Sequence, residues 1–132
     1  MKRAIKIIVV LCVVMLVFTY INHIPIPTKN LPTSVTIIAL PSPPHYKTIT
    51  DVENIDLIFK MIKDSDLKPI MNNAKGWQVS LKYRGGVILM IGDKIEINGR
   101  WFRADNKISS KFIDFYLNLD YKEELWTPNG GN

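Results

Sequence analysis

Three patterns of apolar and polar residues follow one another along this chain of 132 residues. The first has no period. Ile7 to Phe18 is unbroken apolar sequence, preceded by Lys2, Arg3 and Lys6 and followed by Thr19, Tyr20 and Ile21, with no acidic residue before Asp51. A bilayer core about 30 Å thick takes roughly 20 apolar residues as a helix. Residues 4–21 come close to that length once Lys6 snorkels its ammonium to the headgroups. Ile7, Val10, Leu11, Val14, Leu16 and Phe18 would then lie in lipid, with Tyr20 at the interface and the flanking cations holding the amino end inside. The alternative is a cleaved export signal, whose apolar region runs about 7–15 residues. Residues 19–25 (TYINHIP) offer no pair of small residues for cleavage, so residues 1–22 are read as an uncleaved single-pass anchor. Cys12 follows Val9-Val10-Leu11, too bulky for a lipoprotein signal, and is read as a small apolar residue in the membrane.

Residues 23–33 (HIPIPTKNLPT) carry three prolines and no periodicity, which predicts a semi-rigid extended stalk. Residues 34–40 (SVTIIAL) are rich in β-branched side chains and predict a strand, and the proline-rich residues 41–46 (PSPPHY) a loop. A period of 3.6 follows. Thr50-Asp51-Val52-Glu53 has the form of a capping box with Thr50 as N-cap. Behind it Val52, Ile55, Ile58, Phe59 and Ile62 make one face of a helix, with Glu53, Asp56, Lys60 and Lys63 on the other, ending near Asp64.

The third pattern has period two. Residues 77–83 alternate strictly, and three further runs, 87–91, 94–97 and 100–103, are separated by turn residues at Gly85-Gly86, Gly92-Asp93 and Asn98-Gly99. A second helix follows, capped by Ser109 or Ser110, with Ile108, Phe112, Phe115, Tyr116 and Leu119 as its stripe. Residues 127–132 make a polar tail. The fold class is therefore α+β: an anchor helix, then one domain over 34–126 in the order β-α-β-β-β-β-α, an antiparallel meander covered by two helices.

If all three turns are two-residue loops, register follows. Trp77, Val79, Leu81, Tyr83, Ile88, Met90, Ile95, Ile97 and Phe102 share the core face. The opposite face is mostly polar but holds Val87, Leu89, Ile91 and Trp101, with Leu89, Glu96 and Trp101 in line across neighbouring strands. Leu89, Trp101 and Arg103 are the candidate contacts for a protein partner. In the competing arrangement Leu125, Trp126, the stalk or the stems of Lys82, Lys94 and Arg103 cover this face.

Composition narrows the chemistry. The net charge of +5 includes three cations of the anchor, leaving the remainder too mildly basic to indicate nucleic acid. No cysteine follows Cys12, so an exported domain would have no disulfide. His45 is the only histidine beyond the membrane boundary, which provides neither a metal set nor a serine nucleophile with a choice of base. Asp51, Glu53 and Asp56 complement a helix dipole. The expectation is a non-enzymatic module with no cofactor and no small-molecule substrate. The basic residues of the meander offer a second possibility, binding to an anionic surface, either wall polymer or lipid headgroups.

Residues 49–55 (ITDVENI), followed by Gly92 to Phe102 (GDKIEINGRWF), resemble the YhfM-like small exported or membrane-anchored domains of Gram-positive bacteria. The resemblance spans residues 35–119, with Trp101 where a tyrosine is commoner. It implies the same architecture and an envelope location, and it supplies no activity.

Overall fold

The computed structural model describes residues 1–40, 44–71, 74–104 and 107–127. Its elements are α1 (Lys2–Asn22), β1 (Val35–Ala39), β2 (His45–Ile49), α2 (Val52–Lys63), β3 (Lys68–Pro69), β4 (Val79–Tyr83), β5 (Gly86–Ile91), β6 (Lys94–Ile97), β7 (Arg100–Arg103), α3 (Ile108–Asn118) and β8 (Glu124–Leu125). Among the described residues the strands form one antiparallel sheet in the order β3-β7-β6-β5-β4-β1-β2-β8. The fold is α+β, with an apolar N-terminal helix.

Alternation along the strands builds the core. Val35, Ile37, Val79, Leu81, Ile88, Met90, Ile95, Ile97 and Phe102 all point to one face and are fully buried. Ile55, Ile58, Phe59 and Ile62 of α2 and Ile108, Phe112 and Tyr116 of α3 complete the same cluster, so both helices cover that face. Val52 stands at the start of the α2 stripe but is 70% exposed. Helix α1 contributes nothing to the core: residues 3–22 are long and apolar enough to cross a membrane, and none of them is buried in the protein. It joins the domain through Arg100, whose guanidinium donates to Ile21 O at 2.6 Å and His23 O at 2.8 Å and lies 5.2 Å from the Tyr20 ring.

Several details differ from the pattern-based expectation. Three strands were not foreseen. Strand β2 overlaps the predicted loop 41–46, of which residues 41–43 lie outside the described residues. It was hidden because a lysine stands at a core position beside Ile49: Lys47 is paired with Ile37 and 6% exposed. The Lys47 ammonium donates to Tyr116 O and Leu119 O, both at 2.8 Å, and sits 4.7 Å from the Tyr116 ring centroid. It thus satisfies carbonyls that a helix C-terminus leaves without donors, at the negative end of the α3 dipole. Strands β3 and β8 have two residues each, too short for any period to register.

The N-cap of α2 is Asp51 and not Thr50. The Asp51 carboxylate accepts from the backbone N–H groups of Glu53 at 2.9 Å and Asn54 at 3.3 Å. Burial pushes this carboxyl up, but hydrogen bonds from the Asn54 side chain, the two backbone N–H groups and the Tyr121 hydroxyl outweigh it and hold it below the usual range. Neither Ser109 nor Ser110 caps α3. The N-cap is Lys107, and Ser109 is buried, donating its hydroxyl to Gly92 O at 3.0 Å.

Tyr83 pairs with Gly86, so the first meander turn is Arg84-Gly85, one residue earlier than expected. Gly85 takes the positive φ of +127°. Gly86 is a strand residue whose missing Cβ makes room: Asn98 Oδ1 lies 2.0 Å from where that Cβ would stand. Moving the turn by one residue slides the pairing by two, an even slip that leaves the paired residues of β4 and β5 on their expected faces. Trp77 falls outside β4 and off the core face; it packs edge-on against Trp126 with centroids 6.2 Å apart. Residues 23–33 hold neither helix nor strand, but they are not a free-standing spacer. Ile24, Ile26 and Leu31 are half-buried against the core cluster. Of the predicted tail, residues 128–132 lie outside the described residues.

Replacing Lys47 by Met removes the donor to two helix-terminal carbonyls in a buried site and is expected to destabilise the fold by about 1–3 kcal/mol. Thr48→Ala, at the exposed neighbouring position, should change urea unfolding by no more than about 0.5 kcal/mol. Because folding lowers the Asp51 pKa, the cap's stabilisation is complete above the unfolded value of about 3.9 and is lost as pH falls through the lower folded value. Asp51→Asn should flatten that part of the acid unfolding curve, whereas Thr50→Ala should leave it unchanged.

Candidate functional site

With both helices on the core face, the second sheet face is assembled from every other strand residue. One row crosses it. Glu124, Tyr46, Ile38, Ser80, Leu89, Glu96 and Trp101 are successive partners from β8 to β7. The expected alignment of Leu89, Glu96 and Trp101 is therefore present. Beyond Trp101 the row reaches Ile70, whose N–H donates to Trp101 O at 3.0 Å.

The two halves of this face differ. Over β4, β1 and β2, Ile38 and Ser80 are each only 1% exposed although α2 and α3 pack on the other face. This is where the C-terminal segment folds back: Trp126 N–H donates to Pro44 O at 2.9 Å, Trp126 packs against Trp77, and the Lys82 ammonium lies 5.7 Å from the Trp126 ring. At its outer margin the Tyr46 hydroxyl donates a short hydrogen bond to Glu124, which together with partial desolvation raises the phenol above its usual range. Thus Trp126 and Lys82 do act as covers, but over one half alone.

Over β5, β6 and β7 the face is open. Val87 is 40% exposed, and Leu89, Ile91 and Trp101 are half-buried. Glu96 lies between Leu89 and Trp101. Lys94 and Arg103 face each other across β6 and β7, and the like charges are moderated by Asp93, whose carboxylate is 3.4 Å from Arg103 Nε. Arg103 is exposed and keeps guanidinium donors beyond that contact. The candidate residues Leu89, Trp101 and Arg103 therefore lie together: an aromatic and an aliphatic side chain around a carboxylate, with a cation at the rim.

Other features carry less chemistry. A depression of about 250 Å³ lies between residues 26–31 and α2, floored by Phe59, Ile26 and Leu31 and rimmed by Asp56, Lys60 and Lys63. That is below the several hundred Å³ of most small-molecule sites. His45 forms a half-exposed pair with Glu123 at 3.6 Å. Among the described residues no three His, Cys, Asp or Glu side chains are grouped as a metal would need. The Tyr116 hydroxyl is buried without a hydrogen-bond partner among the described residues, and burial, aided by the charge of Glu123, pushes its pKa far up. No protein-family model, curated protein or solved structure matches this chain.

Adjacent residues of β7 separate surface from core. Phe102→Ala, at a fully buried side chain, is expected to destabilise by about 3–5 kcal/mol. Trp101→Ala should cost only about 1 kcal/mol and leave the near-native circular dichroism spectrum intact. Equal losses in urea unfolding would place Trp101 in the structural core.

Proposed function

We propose that this chain is a single-pass, membrane-anchored protein whose extracytoplasmic domain is a non-enzymatic module binding a protein partner through the open half of its second sheet face. The observation carrying this reading is the uneven covering of that face. The chain's own Trp126 and Lys82 close one half, while Leu89, Trp101 and Val87 stay accessible on the other. Partly exposed tryptophan beside aliphatic side chains, ringed by charge, is the composition of an interface centre and rim. Glu96 in the middle and Asp93 against Arg103 argue against anionic polymer as the ligand, since both carboxylates oppose it.

The anchor reading is supported by an apolar helix with three cations at its start and none of its surface buried. One contact favours an uncleaved anchor. Arg100 holds the carbonyls of Ile21 and His23, and a cut after the apolar segment would discard the first of these partners. The YhfM-like resemblance agrees with a Gram-positive envelope location.

A photoreactive phenylalanine analogue at position 89 or 101, introduced into the full chain in its native membrane, should crosslink one discrete protein species. The same analogue at exposed Lys111 of α3 should not. Equal crosslinking from all three positions, or none from 89 and 101, rejects the surface. Recovery insensitive to moderate salt separates it from an electrostatic attachment to polymer.

A further inference from the structure

We propose that the end of the sheet carrying the Arg84-Gly85 and Asn98-Gly99 turns seats on the lipid headgroups, and that Arg100 is the residue that holds it there. This rests on the membrane-anchor reading above and adds to it a definite orientation of the domain. Arg100 is the first residue of β7 and binds the carbonyl of Ile21, in the last turn of α1, and that of its C-cap His23. Antiparallel pairing then fixes what else lies at that end of the sheet: Ile97, Gly86, Tyr83, Val35 and Ile49. The 92–93 turn and His45 lie at the other end.

The contact suits an arginine. Carbonyls of a final helical turn have no intrahelical donors, and a planar guanidinium can bridge two of them where a lysine offers a single point. Its positive charge also meets the negative end of the α1 dipole. The Tyr20 and Phe102 ring centroids lie 5.2 and 5.4 Å from the guanidinium carbon, so one cation joins an interfacial aromatic of the helix to a core aromatic of the domain.

The end itself is stiff. Asn98, at a φ of +49°, accepts the Val87 N–H at 3.0 Å through Oδ1 and fills the space left by Gly86, so the two turns are locked together. Its exposed groups fit a headgroup boundary: Arg84 as a cation, with Val87 and Val52 40% and 70% exposed. Of the carboxylates nearby, Asp51 is engaged in capping α2, and Glu53 lies in its first turn.

The test uses the full chain with Cys12→Ala and a single fluorophore-bearing cysteine at Arg84 or at Lys94, in proteoliposomes of phosphatidylethanolamine and phosphatidylglycerol that carry a headgroup-attached nitroxide. Strand rise over β5 separates the two labels by about 17 Å. Quenching at 84 should exceed that at 94 several-fold, and the difference should vanish in Arg100→Ala. If that variant fails to melt cooperatively, Arg100→Lys, which keeps a stem but not the two-carbonyl fork, takes its place with the same expected loss. Equal quenching at 84 and 94 in a chain that resists alkaline carbonate extraction overturns the seating alone. A chain extracted by carbonate overturns the anchor reading with it. Persistent quenching at 84 in the variant overturns the part given to Arg100.

Discussion

Side chains on a strand alternate, so the parity of each turn decides what the meander buries. Three two-residue turns join β4 to β7, and each preserves parity. As a result Val79, Leu81, Ile88, Met90, Ile95, Ile97 and Phe102 meet the helices together. One inserted residue in any of these turns would send everything beyond it to the opposite side. The open face follows from the same constraint: once Met90, Ile95 and Phe102 are inside, Leu89, Glu96 and Trp101 must be outside. A carboxylate between two apolar side chains is thus a consequence of register, and the position leaves Glu96 in reach of whatever covers its neighbours.

The outer half of the sheet is closed by different means. Strand β2 would be an exposed edge, an invitation to pairing with other chains. Short β8 protects it at His45 and Tyr46, and further along the Tyr121 hydroxyl, which accepts from Asp51 N–H and donates to its carboxylate, brings the same C-terminal segment beside the start of α2. Lys47 then serves a purpose that an isoleucine could not. Its stem fills a core position while its ammonium takes two carbonyls at the end of α3, joining the edge strand to the helix that leads into the covering segment.

Elements with a sustained pattern were legible in the sequence: the unbroken apolar run of α1, the 3.6-residue stripe of α2, the alternation of β4 to β7. The missed elements lack one. β2 puts a lysine where the core face calls for grease, and β3 and β8 are too short to establish alternation. Misplaced caps have a related cause. Thr50 and Asp51 are both good N-cap residues, and only the approach of Asn54 and Tyr121 selects the carboxylate. The Leu89-Glu96-Trp101 row depends on the 92–93 and 98–99 turns, which lie where expected, and the even error at 84–85 leaves its face relative to β4 unchanged. Trp126 and the Lys82 stem were legible as candidate covers of that face, but not which half they reach, since Trp126 arrives from the far end of the chain. Nor was Arg100 legible, which in sequence is only the cation after an Asn-Gly turn.

Orientation and surface bear on each other. If the 84–85 and 98–99 turns face the bilayer, the strands stand along the membrane normal. The open face would then look sideways, across the membrane surface, and not away from it. Leu89 and Trp101 lie partway along their strands, one to three residues from the turns at either end, a short distance above the headgroups at about 3.3 Å per residue. The proposed partner would then have to present its own contact surface at that low height. Such geometry favours a protein held at the same membrane, for which lateral diffusion in two dimensions supplies the encounter, over a soluble one arriving from above.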